Sequence, residues 1–310
     1  MLTGAGYIGA ALLRRLSDPR DPSDASRIVV LENFFSTPRA AVEAALPPGA
    51  ILVEGDVAEP ADVARAFAAL PREPVTIFHL AAQPSAAVAA RDPSVTERSN
   101  LVGARVLLEA AQHRGAHVVF GGSFRVYGDD LIGTTVDEDT AYGRVGDLSH
   151  LSKIYVEQLA RMLGVPFVSV RLGVTYGLSP IMKTVPAFMT VPNLFCQRAA
   201  QGEVLKVLED RPMAFIHVED AAEALLAAAD LNATHSSLAV NAAPEVVTIG
   251  ELAHIVEHVM WQRGQPARIQ GSTPTEATFH VRSRLSIQPR HTLATGLPAV
   301  LDYFNSRTTA

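Results

Sequence analysis

Three glycines near the start of the chain have the spacing of a phosphate cradle. Gly4, Gly6 and Gly9 fall in the run Met1-Leu2-Thr3-Gly4-Ala5-Gly6-Tyr7-Ile8-Gly9. Between a strand and a helix, the first glycine permits a tight turn and the second lets backbone approach a diphosphate. The third lets the helix pack closely on the strand. Free N–H groups and the positive dipole end of the helix then face the phosphates. Glu32 ends a short apolar run, Arg27-Ile28-Val29-Val30-Leu31-Glu32, 23 residues after Gly9. A carboxylate there accepts hydrogen bonds from both hydroxyls of an adenosine ribose and repels a 2′-phosphate. Strand, glycine turn, helix, strand and acid in that order point to a dinucleotide, NAD rather than NADP.

Other reactive side chains carry weaker signals. His79 and His217 sit in apolar strand contexts and read as core histidines. No group of His, Cys, Asp and Glu has metal-ligand spacing along the chain, so no metal is expected. Cys196, the one cysteine, lies among apolar neighbours and reads as inert. Asp137-Glu138-Asp139 reads as a solvated acidic loop. A Ser/His/Asp hydrolase is not expected, because no G-x-S-x-G elbow is present.

The elements that must position these residues alternate. After a polar loop at 17–26 with two Asp-Pro pairs, strands are expected at 27–32, 50–57, 75–82, 117–120 and 166–172. Helices are expected at 10–16, 37–46, 61–70, 94–114 and 148–163. The strands are apolar on both faces, which predicts an α/β fold with a doubly wound parallel sheet and helices on each side. Pro180, Pro186 and Pro192 then break the rhythm. Beyond them the pattern predicts a helix from Pro192, a strand at 203–208, and helices at 221–229, 249–263 and up to Phe304. This divides the chain into an NAD-binding domain at 1–172, rejoined by 216–229, and a smaller, discontinuous α/β substrate domain at 173–310. Ligand belongs between them, at the carboxyl ends of the strands. Only three residues precede Gly4. A first strand usually has about five or six, so further upstream residues are expected.

Composition narrows the partners. The 310 residues carry a net charge of -6 and no basic cluster, which argues against a nucleic-acid surface. A single cysteine fits a reducing compartment, and a cytoplasmic location is expected. No apolar run reaches the ~18 residues of a membrane span, and no signal peptide is visible.

The chain resembles the extended short-chain dehydrogenase/reductases of the NAD-dependent epimerase/dehydratase family. The resemblance covers nearly the full length. It is carried by the glycine run and by Glu54-Gly55-Asp56-Val57, Phe78-His79-Leu80-Ala81-Ala82 and Asn100-Leu101-Val102-Gly103. Ser123-Phe124-Arg125-Val126-Tyr127-Gly128, Ser152-Lys153, Pro192-Asn193-Leu194-Phe195 and Phe215-Ile216-His217-Val218-Glu219-Asp220 continue the series in order. The resemblance implies a Rossmann domain. It places Gly4, Gly6, Tyr7, Ile8, Gly9, Glu32, Asn33 and Leu172 around NAD, with Asp56 and Val57 at the adenine. Leu80, Ala81 and Ala82 would line the pyrophosphate and ribose, and Asn100 would order the helix beside the active centre. Lys153 would bind the nicotinamide ribose and lower the pKa of a neighbouring acid/base. Ser123, beside Phe124, would hydrogen-bond the substrate oxygen, and Asn193 and Leu194 would contact the nucleotide of a nucleotide sugar.

Three departures from the family pattern matter. The acid/base tyrosine, four residues before the lysine, is replaced by Ser149. A serine hydroxyl is a far weaker acid than a tyrosine, whose pKa starts near ~10. His150 and Tyr142 lead the candidates to replace it, ahead of Tyr127, Tyr155 and a water relayed through Ser149. Val174 stands where the family carries an asparagine, and Met213 where it carries a diphosphate-clamping arginine, with Arg211 nearby as a substitute. The expected function is reversible hydride transfer between bound NAD and a sugar, nucleotide-linked, by an epimerase/dehydratase-type enzyme. The alternative, drawn from the three departures, is a cofactor-binding regulatory or assembly subunit without catalysis. A homodimer through helices 94–114 and 148–163 is expected in either case.

Overall fold

The computed structural model describes residues 1–17, 27–231, 237–271 and 278–308. Most of the Asp-Pro loop (18–26) and part of the tail after Pro266 (272–277) lie outside the described residues. The first half runs β1 (Leu2–Thr3), α1 (Tyr7–Leu16), β2 (Val29–Glu32), α2 (Arg39–Ala45), β3 (Ile51–Glu54), α3 (Pro60–Ala68) and β4 (Thr76–His79). It continues through α4 (Ala86–Arg91), α5 (Pro93–Thr96), α6 (Gly103–Arg114), β5 (His117–Ser123), β6 (Thr135–Val136), α7 (Leu148–Leu163) and β7 (Phe167–Leu172). The second half holds β8 (Val174–Tyr176), α8 (Val191–Ala200), β9 (Val204–Lys206), β10 (Pro212–His217), α9 (Val218–Ala229) and β11 (Ser237–Ala242). It ends with β12 (Glu245–Thr248), α10 (Ile249–Gln262), β13 (Arg268–Gln270), β14 (His280–Val281) and α11 (Leu293–Thr308).

Seven strands form one sheet in the order β11-β7-β5-β4-β1-β2-β3. Every pairing in it is parallel. The order reverses between β1 and β4, so their carboxyl ends open a crevice there. All residues of β2 and β7 are buried, as helices on both faces require. One apolar layer packs Leu12 and Leu13 of α1 against Ala221 and Leu225 of α9. The other packs Val63 of α3, Leu107 and Leu108 of α6, and Val156 of α7. Each such leucine, fully buried, contributes about 1.5–3 kcal/mol. A second core lies under a three-stranded sheet, β12-β10-β8, where Phe195, Leu252 and Leu297 meet.

Three features depart from the sequence reading. The seventh strand, β11, comes from far down the chain and pairs with β7. The helix expected at 94–114 is interrupted by a π-helical stretch, Glu97–Val102. Such a wide turn moves one side chain off the regular face, and here Asn100 points into the protein and is buried. The acidic loop is only partly solvated. Glu138 is buried, and its Oε1 accepts from the N–H groups of Asn241 and Arg284, both at 2.8 Å. Those donors lie more than a hundred residues away, beyond the reach of local composition.

Candidate active site

A cavity of about 720 Å³ runs from the glycine turn across the carboxyl ends of the sheet. Its first end is backbone. Gly4 has φ +84°, and a Cβ there would sit 2.5 Å from the Ala81 nitrogen. A Cβ on Gly9 would overlap the Gly4 carbonyl oxygen. Gly6 differs: a Cβ there would meet only the Thr37 hydroxyl, at 3.7 Å, so the space before it is open. No side chain caps α1 at Gly6, leaving its first N–H groups for a ligand. This open cradle fits a diphosphate. Glu32 braces the turn, accepting from Ala5 at 2.7 Å through Oε2 and from Asn33 at 3.1 Å and Phe34 at 2.9 Å through Oε1. Oε1 is filled by its two donors, while Oε2, with one, retains a lone pair for a ribose hydroxyl. Asn33, Asp56, Val57, Leu80, Ala81, Ala82 and Leu172 also line the cavity, as do Tyr7 and Ile8. Asp56 accepts from Ala58 at 2.8 Å and pairs with Arg98.

Tyr7 does more than line the wall. Its hydroxyl donates to the Gly177 carbonyl at 2.7 Å and accepts from Asn193 at 3.1 Å. Ser179 donates back to the Tyr7 carbonyl at 2.6 Å. The glycine turn is thereby stapled to the segment after β8.

The middle of the cavity holds Ser123, Ser149, His150 and Lys153. Lys153 donates to the Gly121 carbonyl at 2.8 Å and lies 4.6 Å over the Phe120 ring. Burial, helped by the charge of Lys183, pulls its pKa down to about 8. His79 lies behind it as a core histidine, paired with the Thr3 hydroxyl at 2.8 Å and pulled down to about 3 by burial and Lys153. Asp147, at the N-cap of α7, accepts from the His150 N–H at 3.0 Å. The same carboxylate accepts from the His150 ring Nδ1 at 2.6 Å and from the Ser149 hydroxyl. Burial works to raise the Asp147 carboxyl, but the bonds from His150 and Ser149 outweigh it and hold it well below the ordinary range. With Nδ1–H facing Asp147, the His150 ring keeps Nε2 free as a proton acceptor. The Ser149 hydroxyl directs its hydrogen at Asp147 and is poorly placed to act as an acid. His150 lies one position from Ser149, about 100° round a regular helix. The cap at Asp147 turns it inward.

The far end is mostly apolar. Phe124 stacks on Phe279 at 5.8 Å, with Val174, Met213 and Phe188 nearby on the wall. Lys183, which the sequence reading passed over, also lines it.

Several expected residues lie outside the cavity. Tyr142 donates to Glu157 at 2.8 Å and accepts from Gln158 at 2.9 Å. There it joins a buried network in which Arg171 binds Glu157 at 2.6 Å and Tyr127 at 2.6 Å. Asn100 clasps Gln83, accepting from its N–H at 2.7 Å and donating to its carbonyl at 2.9 Å, and reaches Ser152 at 3.0 Å. It positions the wall without forming it. Asn193 is buried, its amide shared between Tyr7 and the Gly177 N–H at 3.2 Å, and Leu194 beside it is not on the wall. Arg211 is bound to Asp129 at 2.6 Å, outside the cavity lining. Away from the cleft, His217, Glu219 and His291 bring ligand-type atoms within 4.8 Å of one another. Spacing along the chain hides this group, since Glu219 and His291 are 72 residues apart. Cys196 is fully buried, which raises its thiol pKa and fits an inert role.

Comparison with known proteins agrees with this architecture. The model of the NAD dependent epimerase/dehydratase family matches residues 1–250. UDP-glucuronic acid decarboxylase 3 of Arabidopsis thaliana is 26% identical, over 98% of this chain and 88% of its own length. A UDP-N-acetyl-alpha-D-glucosaminuronate decarboxylase of Bacillus cytotoxicus is 28% identical, over 73% of this chain and 69% of its own. Among solved structures, a UDP-glucose 4-epimerase of Thermus thermophilus in complex with NAD superposes with a TM-score of 0.77 at 24% identity, covering 98% of this chain and 97% of that one. The UDP-glucose 4-epimerase of Thermotoga maritima with UDP-glucose gives 0.80 at 20% identity, covering 100% and 99%.

Proposed function

The chain belongs to the NAD-dependent epimerase/dehydratase family, and from that premise we propose an enzyme that oxidises and re-reduces a sugar carried on a nucleotide. One observation carries the proposal: a single cavity joins the open glycine cradle to Ser123, His150 and Lys153. The nucleotide-sugar class is supported by the names of the relatives, which are UDP-sugar decarboxylases and epimerases. A subunit without catalysis is not favoured, since those relatives are named as enzymes.

The residues divide the work. The N-terminus of α1 would hold the diphosphate, Glu32 the adenosine ribose, Asp56 and Val57 the adenine, and Lys153 the nicotinamide ribose. Bound NAD⁺ supplies the hydride acceptor. The Ser123 hydroxyl orients the reacting sugar oxygen. His150 Nε2 takes the proton from that hydroxyl as the carbon below it loses its hydride and a C=O bond forms. Asp147 fixes the ring and offsets the imidazolium charge. The proton returns from Nε2 when the hydride returns to carbon.

The test is to load the protein with NAD⁺ and offer a panel of UDP-sugars. NADH absorbance, or a converted sugar by mass spectrometry, supports the reading. No hydride transfer across the panel overturns it. We further propose a dividing line near residue 172, with β11 returning to the larger unit, a cytoplasmic location and a homodimer. Leu151 and Met162 are exposed on one side of α7, eleven residues or three turns apart, as a pairing face would have them. Light scattering reads the dimer directly.

A further inference from the structure

Lys183 is a cation without a partner among the described residues. It lies on the segment that Tyr7 staples to the glycine turn, and its half-buried side chain lines the cavity beside Met182 and Val185. The other described cations on the wall are engaged. Arg98 pairs with Glu59 at 2.5 Å, Arg125 with Asp129 at 3.0 Å, His150 with Asp147, and Lys153 with the Gly121 carbonyl. Lys183 makes no hydrogen bond or ion pair among the described residues. The acids on the wall, Glu32, Asp56 and Asp129, are committed to other groups. Lys183 and Lys153 are close enough for the charge of the first to depress the second. Burial alone pulls Lys183 down to about 8. A half-buried ammonium with no counter-charge among the described residues gains when an anion reaches it. The position that the family resemblance gives to a diphosphate-clamping arginine is Met213, and Arg211 is already taken by Asp129.

We propose that Lys183 recognises an oxyanion of the substrate, either its diphosphate or a carboxylate on its sugar, in place of the missing arginine. This rests on the nucleotide-sugar reading. It adds a specificity residue that neither the glycine turn nor the His150 pair supplies.

The test compares the full-length protein with Lys183→Met and Lys183→Arg, each loaded with NAD⁺. The probes are UDP, uridine, UDP-glucose and UDP-glucuronate, with NAD⁺ binding followed in parallel. A charge-assisted hydrogen bond corresponds to a loss of about 10- to 100-fold in affinity for the right probe. Weaker UDP binding with uridine unchanged in Lys183→Met identifies the diphosphate. Weaker UDP-glucuronate binding with UDP unchanged identifies a sugar carboxylate. Lys183→Arg keeps most of the affinity in either case, which separates charge from folding. Unchanged binding of every probe overturns the proposal, as does a loss confined to NAD⁺. If the wild type binds none of the nucleotides, the nucleotide-sugar reading fails. Lys183 is then judged on inorganic phosphate and D-glucuronate: weaker binding in Lys183→Met sustains its role, and equal binding overturns it.

Discussion

The two ends of the cleft are built by opposite means. The glycine end is made of backbone from one short run, and its shape follows from what is missing: no Cβ fits at Gly4 or Gly9. The other end, where we place catalysis and substrate, is made of side chains from β5, α7, the segment after β8 and Phe279. Its charges are set by partners that arrive from elsewhere, as Asp147 orients His150 and Asp129 removes Arg211. A backbone site tolerates little change and states its ligand openly. A side-chain site takes its charges from partners anywhere in the chain.

Four substitutions and one titration press on that contrast. The largest effect is expected from His150→Ala, which removes the proposed proton acceptor and lowers turnover by about 10²–10⁴-fold. NAD⁺ binding, read by fluorescence, is expected to persist; turnover equal to wild type would return the acid/base role to another group. At the other end, Gly9→Ala forces a Cβ into the Gly4 carbonyl and costs about 1–3 kcal/mol of folding stability, measured by denaturant unfolding. Gly6→Ala is the control: it leaves stability near wild type and weakens NAD⁺, because its Cβ meets only open space and Thr37. Lys153 gives a pH signature. Its pKa is about 8 in the folded protein against an ordinary 10.5, so the ammonium, and with it activity, fades as pH rises through about 8. Its stability contribution moves the other way. Between about 8 and 10.5 the unfolded chain binds more protons at this group, so stability rises with pH there. A rate profile and a melting profile that fall together across that window would contradict the assignment. The smallest effect is expected from Tyr142→Phe. It removes a hydrogen bond to Glu157 and lowers stability by about 1 kcal/mol, with turnover unchanged.

Legibility followed the same contrast. The doubly wound sheet was readable because each strand is a short apolar run and each helix has its own period. Glu32 and the glycines were readable because they all lie within one strand–helix–strand unit. β11 was passed over because its polar Ser237 and Asn241 break the apolar run that marks the other strands. The π-helical turn at Asn100 leaves no mark in composition, since its residues suit an ordinary helix. Lys183 sat in a stretch whose prolines gave no period to read. Only the fold sets its ammonium near Lys153. His150 was named from sequence, but its orientation depends on a cap that sequence spacing alone does not aim.

The Tyr7 hydroxyl, held between Gly177 and Asn193, carries a consequence for how the molecule comes apart. One phenol oxygen ties the core around α1 and α9 to the start of the second core. Loosening either core frees a buried polar group in the other, so neither melts at leisure by itself. A calorimetric scan is therefore expected to show one peak rather than two. Replacing the phenol with phenylalanine is expected to broaden that peak towards a pair of overlapping transitions.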